Sequence, residues 1–234
     1  MTVALTQSEG RLEGLESRLR QRGLEVWRVP LVRTQTRQGA DLSRLLDCPW
    51  WLFSSVAAVR AVLELGGSLQ GRRLGAVGEA TKEALEQAGG LVELLGSATH
   101  AASLAEAFIA LGEAGCVGLP QGHRALPTLA RGLSEAGHQV RAVIVYDTFS
   151  LPWPDHLETP DLTLLASPSA AEALPVRIGA NTHCLALGPT TARCLRERGW
   201  PHTTLPNPSE EEVVATIEQI LERKCGRRHE VNSA

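Results

Sequence analysis

Two blocks of this sequence occur twice each, and this internal duplication limits the folds that the chain can adopt. The sequence LFSSVAAVRAV, followed by LGAVGEATKEALEQAG, returns later as LLASPSAAEAL and LALGPTTARCLRERG. Ser55 falls on Ser167 at an offset of 112 residues, and Gly78 falls on Gly188 at an offset of 110 residues. So steady an offset indicates duplication rather than chance.

A second pair of blocks extends the duplication. Residues 3–34 (VALTQSEG, then LESRLRQRGLEVWRVPLVRT) match residues 117–148 (VGLPQGHR, then LARGLSEAGHQVRAVIVYDT) at an offset of 114 residues. We name these blocks X and X′, and we name the first pair Y and Y′. The order along the chain is X, Y, X′, Y′, so the fold has to contain two copies of one pattern.

The composition is typical of a globular protein, and its net charge gives no general attraction to polyanions. Its 234 residues suffice for two domains of about 110 residues each. A net charge of −3 gives no general attraction to nucleic acid or anionic membrane. No apolar run approaches the roughly 18 residues of a membrane span and the N-terminal segment is interrupted by charges, so we expect a cytoplasmic protein. The five cysteines form no CxxC pair, and we expect buried thiols rather than disulfides or a zinc site.

Predicted strands and helices alternate along the chain. Apolar runs predict strands at residues 3–6, 26–34, 50–53, 74–77 and 91–95, and helical spacing predicts helices at residues 12–19, 56–65, 82–88 and 101–112. Pro30 indicates that the second strand lies at an edge or crosses between sheets. Ser209 and Glu212 predict a capping box for a last helix at 210–223, after which the polar tail is expected to fray.

This alternation predicts the α/β class with doubly wound parallel sheets. X supplies β-α-β and Y supplies β-α-β-α-β, which together make one five-stranded, flavodoxin-like sheet. The residues themselves leave two arrangements open. Each sheet could combine neighbouring blocks, or the blocks could be exchanged between the two halves.

Polar residues follow the predicted strands at the edge where ligands bind in such sheets. These predicted binding residues are Thr6, Ser8, Ser54, Ser55, Gly78, Thr81, Gln121, Gly122, Ser167, Ser169, Gly188, Thr190 and Thr191. One rim of N–H and hydroxyl donors in each half suits a large ligand with several carboxylates or phosphates. A hydroxyl at a helix start can also cap the helix with no ligand present, and this alternative stays open for each residue.

Known catalytic motifs are missing from the sequence. It contains no Walker loop, GxGxxG, HExxH or GxSxG motif, which argues against a Rossmann-type nucleotide enzyme, and its histidines fall on predicted loops and helix ends. The single tyrosine, Tyr146, aligns with Val32 in the duplicate. Because the fold does not require a hydroxyl at this position, Tyr146 is a functional candidate.

The motifs VALTQSEG, FSSVAAV, VGEAT, LPQGHRAL, VYDT, SPSAA and LGPTTA resemble, in this order, those of the uroporphyrinogen III synthase family. Family members read LTRP, FTSxNAV, VGxxT, LPRGxxAR, VYxT, TSPSAV and IGPTTA in the same places. The resemblance implies two flavodoxin-like lobes between which the chain crosses twice. Residues 1–34 and 150–234 would form one lobe and residues 35–149 the other, with strands at about 26–34 and 140–149 forming a two-stranded ladder.

The resemblance also implies an activity. The substrate would be hydroxymethylbilane, a linear tetrapyrrole with eight carboxylates, which is dehydrated and closed with inversion of ring D to give uroporphyrinogen III. No metal or organic cofactor is expected, since the substrate is reactive and the enzyme chiefly holds it in one folded shape. In the family the tyrosine of VYxT faces the cleft and is the favoured candidate for assisting departure of the ring A hydroxyl, so the resemblance implies this role for Tyr146. A monomer with transient contact to the preceding deaminase is expected.

Three departures from the family motifs bear on the predicted binding rims. Gln7 and Gln121 stand where LTRP and LPRG have arginine, and Ala57 replaces the usual asparagine. Each rim thereby loses a positive charge, which leaves the carboxylates to backbone N–H groups and Arg124. The alternative interpretation is a two-lobed binding protein for a small polyanion that has lost catalysis.

Overall fold

The computed structural model describes residues 1–7, 14–96, 101–205 and 209–231, with side chains described as far as residue 223. In chain order the strands are β1 (Thr2–Leu5), β2 (Glu25–Arg28), β3 (Val32–Thr36), β4 (Trp50–Phe53), β5 (Arg73–Ala76), β6 (Val92–Leu95), β7 (Cys116–Gly122), β8 (Gln139–Ser150), β9 (Leu162–Leu165), β10 (His183–Ala186) and β11 (His202–Thr204). The helices are α1 (Leu15–Gln21), α2 (Val56–Glu64), α3 (Glu79–Gln87), α4 (Ala101–Ala110), α5 (Thr128–Glu135), α6 (Pro168–Ala173), α7 (Val176–Gly179), α8 (Pro189–Glu197) and α9 (Glu210–Val231). A 3-10 helix lies at Leu42–Leu45.

The chain divides into two compact units. One unit combines Met1–Arg33 with Ser150–Ala234, and the other consists of Thr34–Phe149. Each unit contains one mainly parallel sheet, which confirms the predicted α/β class with two parallel-sheet lobes. None of the described helices is long and apolar enough to cross a membrane.

The first unit has a five-stranded parallel sheet in the order β11-β10-β9-β1-β2. Val3 of β1 pairs with Val26 of β2 on one side and with Leu162 of β9 on the other. In this order the two strands of block X lie beside the strands of Y′, so the serial arrangement is excluded. Leu5 and Leu164 pack with α1 and α9 on one face, whereas Ala4 and Leu165 pack on the opposite face, as strand alternation requires.

The second unit has a six-stranded sheet in the order β3-β8-β7-β4-β5-β6. β4 pairs in parallel with β5 and with β7, where Trp50 lies opposite Val117. Its residues are buried on both faces: Trp51 and Phe53 belong to one core cluster, and Trp50 and Leu52 to the other. A strand buried on both faces reads as a continuous apolar run, which explains why the sequence WWLF does not alternate.

The predicted strand at 26–34 is wrong, because the segment forms two strands in different sheets. β2 ends at Arg28 and β3 begins at Val32. Pro30 lies between them and has no N–H to donate to a ladder. β3 lies beside β8 at the edge of the six-stranded sheet.

Three further differences concern helix bounds and cysteines. α3 begins at Glu79, directly after Gly78, rather than at Lys82, because Gly78 in an extended conformation already serves as the N-cap. The backbone of α9 continues to Val231, beyond the predicted end of the last helix. Cys48 and Cys116 form a disulfide, contrary to the prediction of thiols, because the pairing of β4 with β7 brings their Cα atoms within 4.7 Å.

Candidate functional site

In the second unit, the predicted binding residues gather at the carboxyl ends of three adjacent strands. Ser54 and Ser55 follow β4, Gly78 follows β5 after one residue, and Gln121 and Gly122 end β7. Because neighbouring parallel strands end at one edge of a sheet, these residues share one rim. Ser54, Ser55, Gly78 and Gln121 are half-buried.

Ser55 makes two contacts with its hydroxyl. It is the N-cap of α2, where its Oγ accepts a hydrogen bond from the Ala58 N–H at 3.2 Å. The same Oγ lies 3.1 Å from the hydroxyl of Tyr146. The capping alternative is therefore correct for Ser55, and the hydroxyl still has a second partner.

Tyr146 comes from β8 and lies across from Gly122 in the β7–β8 pairing. The pairing register shifts between Gln121 and Gly122, which places Gly122 opposite Tyr146. The phenol lies against the Gly122 backbone, and its half-buried ring packs against the core cluster that contains Phe53. Ser55 and Gly122 thus contact the tyrosine from two different strand ends.

A charged cluster borders the same segment of β8. Arg37 binds both carboxylate oxygens of Asp147, with the Arg37 Nε at 2.9 Å from one of them. These hydrogen bonds from the Arg37 guanidinium hold the pKa of Asp147 below its ordinary value. Sequence reasoning missed Arg37, since 110 residues separate it from Asp147 and no local pattern joins them.

His123, one of the histidines on predicted loops and helix ends, belongs to this cluster. Its backbone N–H donates to the Tyr146 carbonyl at 3.0 Å, and its Nδ1 accepts from the Thr148 N–H at 3.1 Å. Nδ1 also lies 3.3 Å from an Asp147 oxygen.

The first unit repeats the rim without the phenol. Ser167 caps α6 by accepting from the Ala170 N–H at 3.2 Å, as Ser55 does for α2. Gly188 caps α8 at a φ of 133°, a conformation that favours glycine. Ser169 and Thr190 are half-buried in the first turns of these helices. The repeat partner of Tyr146, Val32, is buried.

Three threonines of the predicted site are buried beneath the rims. Thr6 is 0% exposed, and its hydroxyl donates to the Leu164 carbonyl at 2.7 Å. Thr81 and Thr191 are 4% and 1% exposed in the first turns of α3 and α8. All three residues are buried in this structure and the Thr6 hydroxyl is bonded within the protein, so their part in ligand binding stays a prediction. Ser8 lies outside the described residues.

Two further observations concern metal ligands and a cavity outside the rims. In the described part of the chain, no three His, Cys, Asp or Glu side chains converge as metal ligands. A cavity of about 450 Å³ lies in the first unit, lined by residues such as Asn181, His183, Thr203 and Arg223. It contains none of the predicted site residues and lies near the amino end of β10, away from the rim.

Comparison with known proteins gives the context of this geometry. Crystal structures that share the fold include a mutant uroporphyrinogen III synthase from Thermus thermophilus, which is 17% identical with a TM-score of 0.64 over 95% of this chain and 99% of that one. They also include uroporphyrinogen-III synthetase from Helicobacter pylori, which is 18% identical with a TM-score of 0.61 over 96% of this chain and 98% of that one. A comparison with curated protein sequences found no significant match. The family model for Uroporphyrinogen-III synthase HemD matches residues 13–215. Because this match covers most of the chain, the protein belongs to the uroporphyrinogen-III synthase family.

Proposed function

We propose that this chain dehydrates and cyclises hydroxymethylbilane, with inversion of ring D, and that Tyr146 assists the loss of water. The family to which the chain belongs consists of uroporphyrinogen III synthases, which are hydro-lyases. The role of Tyr146 is supported by the position of its hydroxyl, which lies at the strand-end rim of the second unit in contact with Ser55. It is the only tyrosine of the chain.

The chemical step assigned to Tyr146 is breakage of the bond between the ring A hydroxymethyl carbon and its oxygen. The electron pair of that bond leaves with the oxygen, and the phenol of Tyr146 supplies the proton that makes the leaving group water. The remaining azafulvenium cation is attacked by ring D, and ring inversion proceeds through a spiro intermediate. Ring closure releases one proton from the substrate, which restores the phenol, so the net change is the loss of one water.

Binding of the eight carboxylates is assigned to the two rims. The half-buried candidates are Ser54, Gly78, Gln121, Ser167, Ser169 and Thr190, joined through their backbones by Ser55 and by the buried glycines Gly122 and Gly188. Gln7 and Gln121 provide amides instead of the positive charges usual in the family. In the second unit, Arg124 lies exposed three residues after Gln121 and can offer a guanidinium. N–H groups at helix starts also favour carboxylates.

A coupled assay tests the activity. Porphobilinogen and its deaminase generate hydroxymethylbilane, the products are oxidised, and the III isomer is measured against the I isomer that forms spontaneously. An excess of the III isomer is expected. Spontaneous product ratios would contradict the proposal and favour the non-catalytic polyanion-binding protein.

Tyr146→Phe tests the assigned residue. Without the phenolic proton donor, turnover should fall by about tenfold to a thousandfold while the fold persists, because the reactivity of the substrate remains. Tyr146→Val, which copies the repeat partner Val32, should lose at least as much activity. Full III-isomer production by Tyr146→Phe would overturn the assignment to Tyr146 without overturning the activity of the chain.

We further propose that the protein acts as a cytoplasmic monomer that receives its substrate in a transient contact with the deaminase. The support is chemical, since a substrate that cyclises spontaneously benefits from rapid transfer. Light scattering at micromolar concentration should give the mass of one 25.1 kDa chain. A dimer mass that persists on dilution would contradict this.

A further inference from the structure

We infer that Ser55 is a positioning residue that directs the phenolic hydrogen of Tyr146 toward the substrate. This inference rests on the proposed function, in which Tyr146 donates that hydrogen. Its geometric basis is the pair of contacts at the Ser55 Oγ, to the Ala58 N–H at 3.2 Å and to the Tyr146 hydroxyl at 3.1 Å.

The number of hydrogens at these atoms limits the arrangement. A serine hydroxyl has one hydrogen and two lone pairs, and one lone pair of Ser55 already accepts the Ala58 N–H. Either Ser55 donates to the Tyr146 oxygen, or Tyr146 donates to the second lone pair of Ser55. Only the first arrangement leaves the phenolic hydrogen available to a leaving oxygen.

Cooperativity and charge favour the first arrangement during the reaction. A hydroxyl that accepts an N–H bond becomes a stronger donor, because linked hydrogen bonds polarise one another. As the proton leaves Tyr146, negative charge develops on its oxygen, and a hydrogen bond to a charged acceptor is stronger than one to a neutral acceptor. Ser55 therefore binds the phenol more tightly in the transition state than in the ground state, which is the condition for catalysis.

The start of α2 and the Gly122 backbone fix the two partners. Capping of α2 holds the Ser55 oxygen in place, since the helix starts at Val56. A β-carbon built on Gly122 would lie 2.8 Å from the Tyr146 oxygen, so the phenol lies in the space that the absent side chain of Gly122 leaves open. The hydroxyl of Tyr146 is thereby held in contact with Ser55.

The duplicate shows that the cap and the tyrosine contact are separable. Ser167 makes the same capping bond to the Ala170 N–H at the same distance of 3.2 Å. The chain has no second tyrosine, and Val32, which matches Tyr146 in the sequence, belongs to β3 of the six-stranded sheet, whereas Ser167 follows β9 of the five-stranded sheet. A serine at this place is thus sufficient for capping, and the phenol contact is an addition in the second unit.

The kinetic test distinguishes the role of the Ser55 hydroxyl at Tyr146 from its role as the N-cap of α2. Ser55→Gly removes the hydroxyl but keeps an acceptable N-cap residue, and kcat should fall by about tenfold to a hundredfold with little change in KM. Ser55→Thr restores a hydroxyl and should recover most of the loss. Ser209→Gly is the matched control, because Ser209 caps α9 through the Glu212 N–H at 3.2 Å; its kcat should stay within about twofold of the parent.

A double-mutant cycle then tests whether Ser55 acts through Tyr146. In a Tyr146→Phe background, Ser55→Gly should have almost no further effect on kcat, because its partner is already gone. Additive losses would overturn the inference and indicate that Ser55 acts on the substrate directly.

A spectroscopic test needs no activity and so separates the inference from the proposed function. Because Tyr146 is the only tyrosine, protein labelled with ¹³C at the tyrosine Cζ gives one NMR signal. Ser55→Gly should shift this signal, whereas Ser167→Gly should leave it in place. If the signal of Ser55→Gly does not move, the contact between Ser55 and Tyr146 is contradicted, even if the enzyme is active. If the signal shifts but Ser55→Gly keeps full activity, only the positioning role of Ser55 is contradicted.

Discussion

The ring of Tyr146 lies so close to Gly122 that a β-carbon at residue 122 would come 2.5 Å from the Tyr146 Cζ. The backbone of Gly122 has no left-handed conformation, so an alanine there is excluded by the tyrosine ring rather than by its own dihedral angles. Residue 122 of β7 is thus a glycine because the ring of Tyr146, in the adjacent strand β8, fills the space that a side chain would need.

Gly122→Ala should displace the Tyr146 ring. We expect a loss of about 1–3 kcal/mol of stability from overpacking, together with a fall in activity. The measurement is urea unfolding combined with the isomer assay. In a Tyr146→Val background the same substitution should cost less than half as much stability, because the clashing ring is absent. An equal cost in both backgrounds would show that the ring is not the obstacle.

Thr6→Val tests the structural role now assigned to Thr6. The valine is close in shape but cannot donate to the Leu164 carbonyl, so we expect a loss of about 1–2 kcal/mol of stability. The kcat and KM of the folded variant should match those of the parent, because the hydroxyl is buried. A raised KM with unchanged stability would instead return Thr6 to the binding rim.

Glu113 should make the stability of the second unit depend on pH. Its carboxylate accepts a hydrogen bond from Trp50 Nε1 at 2.7 Å and lies 2.6 Å from Arg73 Nη1. The bond from Trp50, followed by that from Arg73, lowers the pKa of Glu113 in the folded state. A lowered folded-state pKa contributes stability that is complete above the ordinary glutamate value of about 4.3 and is lost as the pH falls through the folded value.

The measurement is thermal unfolding of the parent and of Glu113→Gln over a range of pH. The parent should have the higher Tm near neutral pH, and the difference should shrink as the solution is acidified below about pH 4. Glu93→Gln is the control, because it removes the other carboxylate at Arg73 while keeping the Trp50 bond, and its effect should be smaller. A difference between Glu113→Gln and the parent that does not vary with pH would contradict the assigned cause.

The two cysteines Cys184 and Cys194 should differ in reactivity. Burial raises the pKa of the Cys184 thiol to about 12, whereas Cys194 is only partly buried. Because the thiolate is the reactive species, alkylation of the folded protein at about pH 9 should label Cys194 first. Peptide mapping by mass spectrometry measures the order, with urea-unfolded protein as the control in which both react. Equal labelling in the folded protein would contradict the burial of Cys184.

Local patterns predicted the features that depend on nearby residues. The caps at Ser55 and Ser167, and the capping box at Ser209, follow from a hydroxyl just before a helix, and all three are present. The duplication, together with the alternation of strands and helices, predicted two parallel-sheet lobes, and the structure has two mainly parallel sheets. The exchange of blocks could not be read from the residues and came from the family resemblance.

Features that depend on distant partners were not predictable in this way. Whether Thr6 points to a rim or to the Leu164 carbonyl depends on a neighbour 158 residues away. The same holds for the pairing of Arg37 with Asp147 and for the disulfide between Cys48 and Cys116, which are 68 residues apart. The break at Pro30 was partly foreseen, since the proline argued against a central strand. Its assignment to two sheets required the three-dimensional neighbours of β2 and β3.

The pairing of β1 with β9 has a consequence for the order of events during synthesis. The second unit is continuous in the chain, so its sheet can close once Phe149 has left the ribosome. β1 and β2 are made first, yet their partner β9 begins at Leu162. The apolar residues of β1 and β2 therefore leave the ribosome before the strand that completes their sheet, and an intermediate with this sheet incomplete exposes apolar surface until β9 has been made.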